Sequence, residues 1–205
     1  MKVIIGILSA LSYNKRRQDC INTWYSELKK YNIEAYFLIG NNSNNYIIDK
    51  NILYLPCKDD YNHLPSKTFH FCKWALENRE FDYLFKCDDD TFVQVDRFAQ
   101  YKTDKDYIGI DPIGNGELNS GGAGYFLSKK SVKLIVDGFK HEIGLEDLLI
   151  AQFLKQNNIE RTEDHRFQAW HLDRTEPSQN NDIITCHYIR DNDMYKLYNR
   201  FKEEK

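Results

Sequence analysis

Apolar and polar positions follow two periods along the chain. Short runs of aliphatic, β-branched and aromatic residues predict buried strands, and these runs are Val3–Leu8, Ala35–Ile39, Ile52–Leu55, Tyr83–Cys87, Tyr107–Ile110, Tyr125–Leu127 and Ile183–Cys186. Segments with apolar residues at helical spacing predict helices, and these are Lys15–Tyr31, Pro65–Asn78, Lys130–Val136, Glu146–Gln156 and Asp191–Phe201. Strands that alternate with helices indicate a single α/β domain with a mostly parallel, twisted sheet and helices on both faces.

The composition is that of an ordinary globular domain without a polyanionic partner. The 205 residues are 41% hydrophobic, which is enough to bury a sizeable core in one domain. The formal net charge is -3, and Lys and Arg are scattered along the chain. The sequence therefore has no basic surface suited to nucleic acid or to an anionic membrane.

Cysteine usage and the N-terminal sequence indicate the compartment. The five cysteines are widely spaced and include no CxxC pair, which favours buried thiols in a reducing environment over a disulfide framework or a metal cluster. The apolar run MKVIIGILSAL lacks a signal-peptide cleavage pattern, and no segment approaches the ~20 apolar residues that span a bilayer. We therefore expect a cytoplasmic protein without a membrane span, or a domain of a longer protein.

Three adjacent acids follow the fourth predicted strand, in FKCDDDTFV at 85–93. Alternate residues of an extended segment point to the same side, so Asp88 and Asp90 can face one pocket while Asp89 faces away. The carboxyl ends of strands in α/β sheets are where ligands bind, and carboxylates suit hard cations such as Mg²⁺ and Mn²⁺. A solvated acidic turn is the alternative, but the apolar residues on both sides do not favour a surface loop.

Three further elements each have a structural and a functional interpretation. SGGAGY at 120–125 is either a turn into a strand or a segment whose glycines let the backbone approach a ligand. Glu146 and Asp147 either stabilise the first turn of a helix or supply a general base for a sugar hydroxyl. His187 is either a histidine packed beside a strand or a metal ligand.

Six blocks occur in an order that resembles the β-1,3-galactosyltransferase and fringe-like glycosyltransferase superfamily, whose members have the GT-A fold. The blocks are RRQDCINTW (16–24), DDYNHLPSKT (59–68), FKCDDDTFV (85–93), SGGAGYFLS (120–128), EDLLIAQFL (146–154) and CHYIRDNDMY (186–195). The resemblance runs from Val3 to about Tyr198. Two positions depart from the family pattern, since Ile21 replaces an arginine and His63 replaces an asparagine.

The resemblance implies a metal site that holds a nucleotide-sugar. It makes Asp90 and His187 direct ligands of Mn²⁺ or Mg²⁺, with Asp88 supporting or sharing the metal and Asp89 contacting the ribose. The other residues expected near the nucleotide are Ser9, Ala10, Arg16, Arg17 and Lys67. Those expected to shape the pocket between donor and acceptor are Gly121, Gly122 and Ala123.

The implied activity is the inverting transfer of a sugar from a nucleotide-sugar, such as a UDP-sugar, to a hydroxyl of a glycan or glycoprotein. Asp147 is the expected base for the acceptor proton, with Glu146 second, while the metal neutralises charge on the leaving diphosphate. Two alternatives stay open. One is a non-catalytic nucleotide-sugar or glycan-binding module of the same fold, and the other is a nucleotidyltransferase, for which the sequence lacks a basic triphosphate-binding loop.

Overall fold

The computed structural model describes residues 1–41, 43–171 and 182–203, and in these residues an eight-stranded mixed sheet lies beside a three-stranded sheet. The strands are β1 (Val3–Leu8), β2 (Glu34–Gly40), β3 (Ile47–Asp49), β4 (Ile52–Leu55), β5 (Tyr83–Asp88), β6 (Phe92–Val93), β7 (Tyr107–Gly109), β8 (Tyr125–Ser128), β9 (Arg161–Glu163), β10 (Phe167–Gln168) and β11 (Thr185–Cys186). The α-helices are α1 (Asn14–Asn22), α2 (Leu64–Asn78), α3 (Val95–Gln100), α4 (Lys129–Gly138), α5 (Glu146–Gln156) and α6 (Asn192–Glu203). Two 3-10 helices span Tyr25–Tyr31 and Tyr61–His63.

The centre of the main sheet is parallel and its flanks are mixed. The strand order is β3-β4-β2-β1-β5-β8-β7-β9. Strands β4, β2, β1 and β5 run parallel to one another, whereas β8 is antiparallel to β5 and β3 is antiparallel to β4. Leu8 pairs with Asp88 at the ends of β1 and β5, so the residues that follow these two strands meet at one edge of the sheet.

Apolar layers cover both faces of the sheet, as the sequence predicts. In β1, Ile5 and Ile7 belong to a layer formed with residues of α1, α3 and α6. Ile4 and Leu8 belong to the opposite layer, which includes residues of α2, α4 and α5. Because both faces are buried, successive residues of the central strands are apolar, and this is why the sequence shows them as continuous runs.

The sequence predicts one helix over Lys15–Tyr31, but the structure divides it. The α-helix ends at Asn22, and the 3-10 helix follows after Thr23 and Trp24. At the break, the Thr23 hydroxyl donates a hydrogen bond to the Asp19 carbonyl oxygen at 2.6 Å, and such side-chain bonds bend or interrupt helices. The break accompanies the entry of the Trp24 ring into the core, where it is buried.

The shortest elements lie outside what the sequence patterns predict. Strands β3, β6, β9 and β10 have two or three residues each, which is too few to show a period. The predicted strand over Ile183–Cys186 is shorter than expected, because only Thr185 and Cys186 pair with β6 and β10.

All five cysteines lie in the described ranges. All five cysteines are free, and all except Cys57 are buried. Within 1–41, 43–171 and 182–203, no helix combines the length and the apolar character needed to cross a membrane.

Candidate functional site

The three acids form a tight turn at the carboxyl edge of the main sheet, here called the acidic turn (Asp88, Asp89 and Asp90). Asp88 is the last residue of β5. The Asp89 N–H donates to the Leu8 carbonyl oxygen at 3.0 Å, and the Thr91 N–H donates to the Asp88 carbonyl oxygen at 3.2 Å. The turn is therefore anchored to the ends of both β1 and β5, at the edge where α/β sheets bind ligands.

Two acids of the turn meet a histidine from the far end of the chain. Asp88, Asp90 and His187 offer ligand atoms that all lie within 4.8 Å of one another, and we call this group the metal cluster. His187 Nε2 lies 3.1 Å from Asp90 Oδ1 and 4.0 Å from Asp88 Oδ2. Asp88 Oδ1 is buried and has no hydrogen-bond partner in the described ranges, which costs free energy unless another group satisfies it. Two carboxylates and an imidazole suit a divalent transition metal such as Mn²⁺, so these residues fit a metal site.

Asp90 is surrounded by cationic and hydrogen-bonding groups. Arg190 Nε and Nη2 lie 3.0 and 2.9 Å from Asp90 Oδ2, while Oδ1 faces His187. Burial by itself raises the pKa of Asp90, but the hydrogen bonds and charges of His187 and Arg190 outweigh it and lower the pKa below its ordinary value. Asp90 is therefore ionised at neutral pH.

Asp89 contacts the loop after β1 and shares Arg16 with Asp90, whose Oδ2 lies 3.8 Å from Arg16 Nη1. Its Oδ2 accepts a hydrogen bond from the Ser9 hydroxyl at 2.7 Å, and its Oδ1 lies 3.3 Å from Arg16 Nη1. Burial raises the pKa of Asp89 to about 6, although the hydrogen bond from Ser9 and the charge of Arg16 oppose this shift. Asp89 thus connects the acidic turn to the loop after β1 and to α1.

The remaining residues expected near the nucleotide hold the loop after β1 in place. Arg17 Nη1 donates to the Ser9 hydroxyl at 3.0 Å and to the Ala10 carbonyl oxygen. Lys67 Nζ donates to the Ser9 carbonyl oxygen at 2.8 Å. Arg17 and Lys67 are buried, whereas the Arg16 side chain is 31% exposed. Of these three cations, only Arg16 keeps solvent access beside the acidic turn.

The glycine segment SGGAGY forms a wall of the site. A Cβ atom on Gly122 would lie 1.9 Å from Cε1 of His187, so only glycine leaves room for the imidazole. The Gly122 carbonyl oxygen accepts hydrogen bonds from the Asp88 N–H at 3.3 Å and from the Thr91 hydroxyl at 2.6 Å. Ala123 is fully buried behind it. The segment therefore packs on the acidic turn and on His187 at once.

His187 is packed as well as directed at the carboxylates, so both interpretations of this histidine describe part of its environment. Its ring stacks on Tyr188 with ring centroids 3.9 Å apart, and Tyr188 stacks on Trp170 at 5.5 Å. The His187 N–H donates to the Gln168 carbonyl oxygen at 3.0 Å. These contacts fix the imidazole plane before any ligand binds.

Glu146 is fully engaged in the interior of the protein. Its Oε2 accepts a hydrogen bond from Lys86 Nζ at 2.9 Å. Its Oε1 accepts hydrogen bonds from the Thr68 hydroxyl at 2.9 Å and from the Tyr125 hydroxyl. Because the carboxylate is buried and both oxygens are occupied, Glu146 is poorly placed to take a proton from a substrate.

Asp147 has spare hydrogen-bonding capacity near the glycine segment. It is half-buried, and its Oδ1 accepts a hydrogen bond from the Leu148 N–H at 3.0 Å. Its Oδ2 receives only a long bond of 3.4 Å from the Gly121 N–H. His187 packs on Gly122, and the Cα atoms of consecutive residues are about 3.8 Å apart. The glycine that Asp147 contacts and the glycine that His187 contacts are therefore consecutive residues, one peptide unit apart.

Sequence reasoning missed two charged residues of the site, Lys86 and Arg190. Lys86 lies inside β5, 2.9 Å from Glu146 and 3.6 Å from Asp88. Burial lowers the pKa of Lys86, but the negative charges of Glu146 and Asp88 outweigh it and raise the pKa above its ordinary value. A lysine within an apolar strand was a signal for such a pair. Arg190 had no signal beyond its place shortly after His187.

We expect Glu146→Gln to lower the free energy of unfolding by about 3 kcal/mol, because removing one charge of a buried pair leaves the other poorly compensated. The remaining charge is that of Lys86, whose side chain is 3% exposed and whose other acidic neighbour, Asp88, lies 3.6 Å away. Urea unfolding followed by far-UV circular dichroism measures the change. The matched control is Glu80→Gln, because Glu80 pairs with Lys129 at 3.1 Å but is 86% exposed, and exposed pairs contribute little. Equal stability of the two variants would contradict a structural role for the Lys86–Glu146 pair.

Comparison with solved structures identifies the fold class. A glycosyltransferase involved in the glycosylation of the major capsid of PBCV-1 superposes with a TM-score of 0.58 at 8% identity, covering 99% of this chain and 100% of that one. A Drosophila β-1,4-galactosyltransferase 7 mutant, in complex with manganese, UDP-Gal and xylobiose, gives a TM-score of 0.54 at 12% identity, covering 96% of this chain and 74% of that one. The protein thus has the GT-A glycosyltransferase fold.

Sequence comparison then narrows this class. The galactosyltransferase family model matches residues 15–111, a range that includes the acidic turn. Hydroxyproline O-galactosyltransferase GALT2 of Arabidopsis thaliana is 24% identical over 241 aligned positions, which cover 96% of this chain and 34% of that protein. The chain thus spans about a third of the length of this relative. These matches bear out the resemblance to the β-1,3-galactosyltransferase-like superfamily of glycosyltransferases.

Proposed function

We propose that this chain binds a nucleotide-sugar with a divalent metal and transfers the sugar, with inversion, to a hydroxyl of a glycan or glycoprotein. The observation that carries the proposal is the group of Asp88, Asp90 and His187, with Asp147 bonded to the Gly121 N–H, one residue before the glycine that packs on His187. A UDP-sugar is the proposed donor. The name of the Arabidopsis relative and the manganese and UDP-Gal in the Drosophila structure support this choice of donor and metal.

Each side chain of the site has a distinct task in this reaction. Asp88, Asp90 and His187 would hold Mn²⁺ or Mg²⁺, which supplies positive charge to stabilise the leaving diphosphate. Asp147 Oδ2 accepts the proton of the acceptor hydroxyl as that oxygen attacks the anomeric carbon. Asp89, whose oxygens contact Ser9 and Arg16, would exchange one of these contacts for a hydrogen bond from the ribose.

We expect UDP to bind in the presence of Mn²⁺ and to show no measurable binding in excess EDTA. Without a metal, the carboxylates of the acidic turn repel a diphosphate, and the cations beside them are already paired with these acids. Isothermal titration calorimetry with and without EDTA measures the difference. Uridine is the matched control ligand, because it lacks the diphosphate and its weak binding should not depend on the metal. Equal affinity for UDP in Mn²⁺ and in EDTA would rule out the proposed metal site.

Turnover distinguishes the enzyme from a binding module of the same fold. The wild-type chain, incubated with Mn²⁺ and a panel of UDP-sugars, should release UDP, by hydrolysis or by transfer to added acceptor sugars. Metal-dependent UDP binding without release of UDP from any donor would favour the non-catalytic module.

A further inference from the structure

Residues 187–190 form an arch over Asp90 that uses both oxygens of its carboxylate. The Ile189 N–H donates to the Asp90 carbonyl oxygen at 2.8 Å. The residues at the two ends of the arch then reach the carboxylate from opposite sides, with His187 facing Oδ1 and Arg190 facing Oδ2. The arch therefore holds a candidate metal ligand, His187, and an arginine, Arg190, against the same carboxylate.

Two residues with left-handed backbone conformation lie within and directly after this arch. Tyr188 has φ 59° and Asp191 has φ 51°, a backbone region that non-glycine residues adopt at a cost in free energy. The conformation at Tyr188 is held in place by stacking, because the Tyr188 ring lies between His187 and Trp170. A strained conformation that its surroundings maintain in this way is typical of functional sites.

Arg190 is far more exposed to solvent than the carboxylate that it contacts. The Arg190 side chain is 52% exposed, whereas that of Asp90 is 5% exposed. Two nitrogens of the guanidinium, Nε and Nη2, face Asp90 Oδ2, and Nη1 has no acceptor within residues 1–41, 43–171 and 182–203. Arg190 can therefore turn towards a ligand while the carboxylate stays where it is.

The summed charge of the acidic turn and its two arginines changes sign when a dication binds. The three carboxylates of the acidic turn face two guanidinium groups, Arg16 from α1 and Arg190 from the arch. These five groups sum to one negative charge without metal and to one positive charge with a dication, and the carboxylate of Asp147 lies outside this sum. Arginines on both sides of a metal site suit the paired anionic oxygens of a diphosphate.

We infer that Arg190 is a diphosphate-binding residue that pairs with Asp90 in the unloaded protein and turns to the diphosphate of the donor in the loaded one. This inference rests on the proposed function, because it presumes a nucleoside diphosphate at the metal cluster. In this inference Arg190 has two alternative partners. When it pairs with Asp90 it competes with the metal for that carboxylate, and when it pairs with the diphosphate it strengthens nucleotide binding.

The test is to titrate Arg190→Gln first with Mn²⁺ alone and then with UDP in saturating Mn²⁺. Affinity for UDP should fall by about 10-fold to 100-fold, the size expected for a lost charge-assisted hydrogen bond. Affinity for Mn²⁺, followed by electron paramagnetic resonance of the free ion, should stay the same or rise, because a competing cation is gone. Arg190→Lys keeps the charge without the planar fork and should lose less UDP affinity.

Arg79→Gln is the matched control, since Arg79 pairs with Glu34 at 2.7 Å at the other end of the strands, and it should change neither affinity. A thermal melt of each variant checks the fold. Unchanged UDP affinity in Arg190→Gln would overturn the inference, and so would a parallel loss of Mn²⁺ affinity, because Arg190 would then only order Asp90. Failure of the wild type to bind UDP with Mn²⁺ is a separate result, and it would overturn the proposed function itself.

Discussion

Asp147→Asn is expected to lower turnover by roughly 10²–10⁴-fold, the usual contribution of a general base, while affinity for Mn²⁺ and UDP stays unchanged. The amide has almost the same shape as the carboxylate but cannot take a proton. The site tolerates the change, because Asp147 is half-buried and accepts only the Leu148 N–H bond and a long Gly121 N–H bond. Steady-state release of UDP from the active donor, measured with calorimetric titration of the same preparations, provides both quantities.

Asp137→Asn is the matched control for this variant. Asp137 undergoes the same chemical change on the exposed side of α4, and it should retain full activity. A parallel fall in UDP affinity and turnover in Asp147→Asn would show that the residue binds the donor rather than the acceptor proton. Full activity of Asp147→Asn, in a protein that turns over its donor, would contradict the general-base mechanism.

Asp90→Ala and His187→Ala should each abolish the Mn²⁺-dependent part of UDP binding. Their ligand atoms lie 3.1 Å apart, and loss of either removes a donor from a set of three, which destroys the coordination geometry. Both residues are buried, so water replaces a lost ligand atom poorly. Titration with UDP in Mn²⁺, compared with titration in EDTA, measures the effect.

Exposed residues of the same types provide the controls. Asp104→Ala and His141→Ala change exposed side chains and should leave metal-dependent binding intact. If His187→Ala keeps normal affinity for Mn²⁺, then stacking against Tyr188 and Gly122 is the role of His187. If Asp90→Ala behaves in the same way, the acidic turn does not bind the metal, and Asp88 alone cannot support the proposed function.

Local sequence was sufficient to predict the central elements of the fold. Strands β1 and β4 and helix α5 have the boundaries that their apolar patterns predict, because a strand buried on both faces and an amphipathic helix each carry their period within a few residues. The break after Asn22 was not predictable in this way. It coincides with a hydroxyl bond from Thr23 to Asp19 and with burial of Trp24 under the sheet, and burial depends on the packing of distant elements.

The sequence by itself determined which residue types the site contains and that the acids follow a buried strand. Tertiary structure decided which of those residues are available to a ligand and which are held by other side chains. Glu146 and Asp147 are adjacent and chemically alike, yet the buried amine of Lys86 occupies Glu146, while Asp147 keeps an open oxygen. Arg190 reaches Asp90 only because the chain arches over the acidic turn. Contacts between residues far apart in the chain depend on the whole packed fold, so no local pattern could have assigned these roles.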